Sequence, residues 1–570
     1  MNRRFLAVLL AATLACGAMT ACSENSSVND GELVESVVQY RQLTAVEFTA
    51  TDVRASDENF LTAPTELTLS APDGARIYYT LDGSKPDEND TLYDPAKPIR
   101  MQGETGSHFP TSLVLRAKAY FADGTESEIV TRTFFCAMDV ESRYRHVMFS
   151  ISGEPAELYE KPDGIMYGEN VKQRGRESER EVYVEAISRD GSIVFEQNAG
   201  IRLYGAASRF SAQKSFKLFA RKEYDPDYGK FPLDVFGTVG ADGNVIDKYD
   251  KLVLRSFGND YQFGFIRDEL NQRLAAQAGY TDCEAVVPAV IYLNGKYYGL
   301  VYLHEAFCDD LFKEKYGGAL GKYEILEGKD TEMNVDADDA VAAAIAEEYN
   351  TRYNAFAAAD LTDDAVYAEL CKFMDVENYL QNFAFNICVN NNDWPQNNFK
   401  CYRYFAAEGE EYTDDTHQDG RWRYLLHDMD YCMGLYEQEA TQAEYNNLKH
   451  ILTEGDDRYS PLFAGLLARE DCRAFFCSEM ERLMHGVLSA ENMQNTLDAM
   501  STERFFEMRY YYEHMENEKK HNQEIWTWYE NLMPQTALIR QFITGRNDYL
   551  ETYLAEAMAA YETAETTVAP

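Results

Sequence analysis

From residue 45 to about 135, hydrophobic and polar positions alternate in short runs such as ELTLS, RIYYT and SLVLRAKAY. Pro-Asp-Gly, Leu-Asp-Gly and Ala-Asp-Gly break the runs. A period of two punctuated by turn residues predicts a small antiparallel β-sandwich over residues 45–136. Beyond about 140 the pattern mixes periods. SAQKSFKLFARKEY sets Phe216 and Leu218 on either side of Lys217 and predicts a strand, and KYDKLVLRSFGND predicts another through Leu252, Val253 and Leu254. In FGFIRDELNQRLAAQAG, Ile266, Leu270, Leu274 and Ala278 recur at every fourth position, one face of a helix that Gly279 stops. PAVIYLNGKYYGLVYLHE reads as two apolar strands around the turn dipeptide Asn294-Gly295. Strand, strand, helix and hairpin predict a small sheet with one helix packed across it.

Residues 330–386 are acidic and alanine-rich, then amphipathic, and predict helices. There follow a loop, NNDWPQNN, a strand, FKCYRYF, an acidic excursion, EGEEYTDDTHQDG, a strand, RWRYLLHDMDY, and a helical remainder to about 560. The expected architecture is multidomain: an N-terminal all-β sandwich, then an α+β bilobal domain over 140–560 and a tail over 561–570. A chain of 570 residues has room for two or three such units.

The first 22 residues, MNRRFLAVLLAATLACGAMTAC, have a basic start, a short apolar run and small residues ending at a cysteine. They resemble a bacterial lipoprotein signal, with cleavage before Cys22 and lipid on its thiol. The expected product is a lipid-anchored protein of the cell surface or periplasmic side, tethered by a polar linker over 23–44. A formal charge of −43 repels phosphate backbones and argues against a nucleic-acid partner. Any polyphosphate ligand would need local Lys or Arg and a divalent metal. Eleven cysteines include Cys16 and Cys22. The others show no CxxC pair and no zinc spacing, and read as mostly buried free thiols, with Cys472 and Cys477 as the one pair spaced to bridge. The 40 tyrosines read as packing residues, although RYYYEHM and IWTWYE are able to line a groove.

Phosphoryl transfer needs a carboxylate near the acceptor hydroxyl, an amide and a carboxylate at a divalent ion, and a cation for the phosphates. The chain offers Asp393 and Asn398 in one loop, Asp428 and Asp430 after an apolar strand, and Lys217 with its neighbour Lys214 on an early strand. Taken alone, Asp393 and Asn398 fit a helix-terminating turn with side-chain hydrogen bonds better than a catalytic pair. His304 and His427, beside Glu305 and Asp428, lack metal spacing and read as structural.

Two resemblances extend these readings. IYYTLDGSKP is similar to the β-sandwich module at the C-terminus of chitobiases and hexosaminidases, with Tyr78, Asp82, Gly83 and Pro86 matching its signature. That implies an extracellular accessory module with possible glycan contact. From about 145 to 550, KSFKL, IRDEL, YLNGKYYGLVYLHE, NNDWPQNNFKCYRY and HDMDYCMG resemble, in order, the CotH kinases. This resemblance implies a minimal atypical protein-kinase-like fold that transfers phosphate from ATP, with Mg²⁺ or Mn²⁺, to Ser or Thr of extracellular proteins. It implies Asp393 as catalytic base, Asn398 with Asp428 and Asp430 at the metal, and Lys217 or Lys214 at the ATP phosphates. Arg267 would pair with phosphate or a carboxylate, Glu305 would end a strand at an adenine-binding hinge, and Glu269 would be the helix partner of Lys217. No glycine-rich phosphate loop is present, so nucleotide affinity would rest on a few cations. The rival expectation is a kinase-like surface protein without catalysis that binds glycan or a protein partner. A third, glycoside hydrolysis by paired carboxylates, ranks below both.

Overall fold

The computed structural model describes residues 47–50, 59–101 except 73, 110–160, 164–318 except 262, 320–329, 332–334, 340–413, 416–453, 459–511 except 506 and 509, 514, and 528–568. The expected signal and linker over 1–44 lie outside these residues, as do parts of RYYYEHM and IWTWYE.

The N-terminal module is built from two sheets. One has three strands, β1 (Glu47–Ala50), β3 (Thr65–Ser70) and β6 (Ile99–Met101). The other runs β2 (Phe60–Leu61), β8 (Val130–Cys136), β7 (Thr111–Tyr120), β4 (Arg76–Thr80) and β5 (Thr91–Leu92). Leu67, Leu69, Ile77, Leu115 and Phe134 form its core, the alternate positions that the period of two singles out.

Residues 148–305 form a closed seven-stranded barrel. In ring order it runs β9 (Met148–Ser152), β10 (Arg180–Ile187), β11 (Ile193–Tyr204), β12 (Ser215–Phe219), β15 (Lys251–Arg255), β17 (Lys296–Glu305) and β16 (Val286–Leu293). A short ribbon, β13 (Phe231–Pro232) with β14 (Lys248–Tyr249), lies between β12 and β15 in sequence. The barrel replaces the expected small sheet. Closure comes from β9, which pairs in parallel with β16, Met148 facing Val290, and no local periodicity reports a partner so distant. Ile201, Phe216, Leu218, Leu252, Leu254 and Leu303 fill the barrel. Strand alternation puts the intervening residues on its outer face. The register aligns Arg202, Lys217, Val253 and His304 there in one row across four strands.

Helix α1 (Arg267–Gln277) follows β15 after a loop with a short 3-10 turn at Gly258–Asp260 and packs on that outer face. Leu270 and Leu274 share a core with Val290 and Tyr302 of the barrel and with Phe385 and Met429 of the second half. The β16–β17 turn is as tight as its sequence requires: Leu293 faces Lys296, with Asn294 and Gly295 both at positive φ, 46° and 73°.

The second half is helical around one four-stranded sheet. The sheet order is β19 (Glu332–Asn334), β18 (Lys322–Lys329), β20 (Asn397–Phe405), β21 (Arg423–Leu425). Among its helices are α2 (Asp309–Tyr316), α3 (Ala340–Ala357), α4 (Asp364–Phe373) and α5 (Val376–Val389), and the chain ends in a long helix, α6 (Trp528–Val568). Among the described residues no helix is long and apolar enough to cross a membrane. Cys472 and Cys477 are both free, as are the other seven cysteines from Cys136 onward.

The N-terminal module is packed against the barrel. The Phe135 ring lies 4.8 Å from Tyr292, and buried Glu185 of β10 accepts hydrogen bonds from the Thr133 backbone N–H (3.0 Å) and hydroxyl. The Asp82-Gly83 turn sits at the same junction. Gly83 has φ 90°, and a Cβ there would lie 2.3 Å from Asn294 Oδ1. Lys85, two residues on, pairs with Glu181 at 2.9 Å.

Candidate active site

Helix α5 delivers the first acidic loop. Its carbonyls at Ile387 and Cys388 accept hydrogen bonds from the buried Arg546 guanidinium, at 2.8 and 3.1 Å, and Asn390 ends it in the left-handed region at φ 59°. Trp394, buried against Phe383, anchors the loop that follows. The Asp393 carboxylate accepts from the Asn397 and Asn398 side-chain amides, at 2.9 and 3.0 Å. The side-chain hydrogen bonds of the turn reading are present, and the same bonds aim Asn398 at the second acidic loop. Asn398 Nδ2 also lies 3.5 Å from the Asp428 carbonyl.

The second loop leaves β21 through His427. Asp428 has φ 52° and Asn398 φ 58°, left-handed conformations that Asn and Asp tolerate better than other side chains. Arg255, the last residue of β15, joins the acids. Its Nη2 donates to Asp428 Oδ1 and, at 3.0 Å, to Asp430 Oδ2, and its Nε lies 3.2 Å from Asp268 Oδ2 on α1. Asp430 is fully buried and both of its oxygens are engaged, Oδ1 by Asn259 Nδ2 (2.9 Å) and Oδ2 by the Asn259 N–H (2.7 Å) as well as Arg255. The Asp428 side chain keeps 28% of its surface exposed.

Electrostatics separate these carboxyls. Burial, with Asp428 nearby, pushes Asp393 up, against the Asn397 and Asn398 amides. Burial and the neighbouring Asp428 push Asp430 well above the carboxylate range. Asp428 is desolvated too, yet Arg255 and His427 hold it below its ordinary value. Arg255 stays firmly charged, since the attraction of Asp428, Asp268 and Asp430 outweighs its burial.

Behind Arg255 lies a second buried network. Glu284, between α1 and β16, faces His304 Nδ1 at 2.8 Å and His427 Nδ1 at 3.2 Å. His304 Nε2 is 3.4 Å from Glu269 Oε1. Burial opposes charge on His304, but Glu269 and Glu284 raise its pKa to about 9. Ligating atoms of Asp268, Glu269 and His304 lie within 4.8 Å of one another, the spacing of a metal cluster; here Arg255 and Glu284 occupy two of the three as partners.

The structure thus brings Asp393, Asn398, Asp428 and Asp430 together and disperses several of the expected cations. Lys217 stays on the barrel's outer face, one strand beyond Val253 from His304, with its Nζ 6.0 Å from the Tyr204 ring centroid. The helix partner foreseen for it, Glu269, faces His304 instead. Lys214 is buried, and its ammonium donates to the Arg209 and Ser211 carbonyls at 2.7 and 3.2 Å, so it ties a turn. Arg267 is fully buried and pairs with Asp260, the Met433 carbonyl and Gln535. Glu305 points to the barrel side, opposite His304, where Tyr249 donates to it at 3.3 Å.

Arg255 and Lys400 did not emerge from the sequence. Lys400, two residues after Asn398 in β20, is 2.9 Å from Glu327. The only trace of Arg255 in the sequence is its place as the charged residue that closes the apolar run KLVLR.

Comparison with known proteins bears on this arrangement. Residues 201–550 match the family model described as CotH kinase protein, and residues 66–134 match the model described as Fn3 associated. No curated protein matches the chain.

Proposed function

Because this chain belongs to the CotH kinase protein family, we propose that it is an atypical protein kinase that transfers the γ-phosphate of ATP to a Ser or Thr hydroxyl. The observation that carries the reading is the contiguous set Asp393, Asn398 and Asp428, drawn from two loops and joined by hydrogen bonds. Asp393 takes the acceptor's hydroxyl proton as the hydroxyl oxygen bonds to the γ-phosphorus and the bond to the β–γ bridging oxygen breaks. Its raised pKa suits a group that must accept a proton.

Hard oxygen donors fit Mg²⁺ or Mn²⁺. Asn398 uses its amide nitrogen on Asp393, which leaves its oxygen for a cation. Asp428 is charged and partly exposed, whereas Asp430 has both oxygens engaged, so Asp428 is the ligand and Asp430 orients Arg255. A bound divalent ion would neutralise phosphate charge at these two loops. Arg255 and Lys400, both ion-paired in the structure, and Lys217 on the outer barrel face are the cations this reading assigns to the phosphates; Lys214, Arg267 and Glu305 have structural duties.

The leader read over residues 1–22 supports a lipid anchor at Cys22 and a substrate outside the cytoplasmic membrane. The N-terminal module, similar in its YTLDGSKP turn to the chitobiase type, would be an accessory open to glycan contact. A binding-only role is favoured by one observation, that Arg255 already bridges Asp428 and Asp430. Calorimetric titration with ATP and Mn²⁺ or Mg²⁺ decides between them. Metal-dependent binding is expected for the wild type and for Asp393→Ala, with transfer falling about 10²- to 10⁴-fold in the latter and binding itself lost in Asp428→Ala. A folded wild type that binds no nucleotide sinks the kinase reading.

A further inference from the structure

We infer that Glu284 is a positioning residue of the site, fixing Asp428 and helix α1 relative to one another. Its consequence for metal binding rests on the kinase reading above; its geometry does not. Glu284 is 6% exposed and stands in the connection between α1 and β16. One carboxylate oxygen meets His304 on the outer face of β17, and the other meets His427, which immediately precedes Asp428. Its backbone N–H donates to Gln272 Oε1 of α1 at 2.8 Å, and Gln272 Nε2 reaches the Leu426 carbonyl and Asp268 Oδ1, both at 3.3 Å. Asp268 Oδ1 in turn accepts the Met429 N–H at 3.0 Å. One residue therefore fastens a barrel strand, the helix and the loop carrying Asp428.

An ionised carboxylate only accepts, so both imidazoles must present Nδ1–H to it, which fixes the rotation of each ring. Carboxylates that orient histidines behind a metal act in this way, and their loss typically weakens metal binding about 10- to 100-fold. A glutamine at 284 offers one oxygen and one NH₂. One imidazole N–H would then face an N–H, so one of the two links must open or that ring must move its proton to Nε2 and accept instead.

The test uses the full chain with Glu284→Gln and three readings: Mn²⁺ affinity by calorimetry, hydrogen exchange of the Met429 amide, and histidine side-chain ¹⁵N shifts. The expected result is a folded variant with Mn²⁺ affinity at least about tenfold weaker, faster exchange at Met429, and a shifted His427 or His304 signal. Affinity and exchange equal to wild type overturn the inference. A wild type that binds no Mn²⁺ removes the kinase reading, while the Met429 exchange rate still decides the role of Glu284. Should Glu284→Gln fail to fold, His427→Gln cuts only the loop-side link, and unchanged Met429 exchange there overturns the inference as well.

Discussion

Arg255 shows why single residues resist reading from sequence. Three buried or partly buried aspartates converge on its guanidinium from a helix and a loop, and a planar fork of donors is the side chain suited to bridging them. In the sequence it is merely the polar end of an apolar strand. Asp393, Asn398 and Asp428 were legible because loop chemistry leaves a local trace: polar residues between a helix and a strand. Lys214 and Arg267 misled for the converse reason, since a cation tied to buried carbonyls has the same letter as one aimed at phosphate. The imidazole of His304 carries a consequence for pH. Its pKa is about 9 in the fold and roughly 6.5 when unfolded, so its stabilisation is complete below about 6.5 and is lost as pH rises through about 9. The difference amounts to about 3 kcal/mol at most. Urea unfolding of wild type and His304→Gln between pH 6 and pH 10 is expected to converge at the alkaline end; a gap independent of pH would refute the assignment.

Elements with a strong local code were recovered: α1 from its four-residue apolar spacing, the β16–β17 hairpin from Asn-Gly, β12 and β20 from alternation. Barrel closure was not, because β9 and β16 pair across a separation over which no period runs. The seat of α5 is a similar case. Arg546, in the last helix, donates to the carbonyls of Ile387, Cys388, Ala443 and Tyr445 and to Asn447 Oδ1. It is fully buried, and burial lowers its pKa to about 10. The negative end of α5 stands where a carboxylate partner would otherwise be needed, and the Asp393 loop begins one turn later. Replacing Arg546 by Met strands several buried carbonyls, each unmet acceptor costing about 1–3 kcal/mol, and an overall loss of about 3–5 kcal/mol is expected in chemical unfolding. Phosphotransfer should fall further than stability alone explains, as the loop loses its anchor. Arg546→Lys, which keeps the charge without the fork of donors, should recover only part of each; full recovery would show that charge alone is what α5 needs.

For the molecule as a whole, the question is whether the N-terminal module is a spacer or a structural part of the barrel. A spacer would show a thin, polar junction. Instead Phe60 and Phe135 lie in the same core as Tyr144 and Tyr292, and Glu185, buried and raised to about 7 chiefly by desolvation, receives its donors from Thr133 across the junction. A chain starting at residue 138 would expose those aromatic faces and leave Glu185 without Thr133. Two buried phenylalanines contribute about 1.5–3 kcal/mol each, and a domain of this size shifts by about 2–4 °C per kcal/mol or less. The truncated chain should therefore melt about 5–10 °C lower than the full one in calorimetry, with the loss appearing in the transition of the barrel. An unchanged barrel transition would mean that the contacts seen here contribute nothing and that the module is a tether after all. A lowered one would make the module a determinant of how the barrel holds Arg255 and His304 beside the acidic loops, since the β16–β17 hairpin that it braces carries His304 near its end.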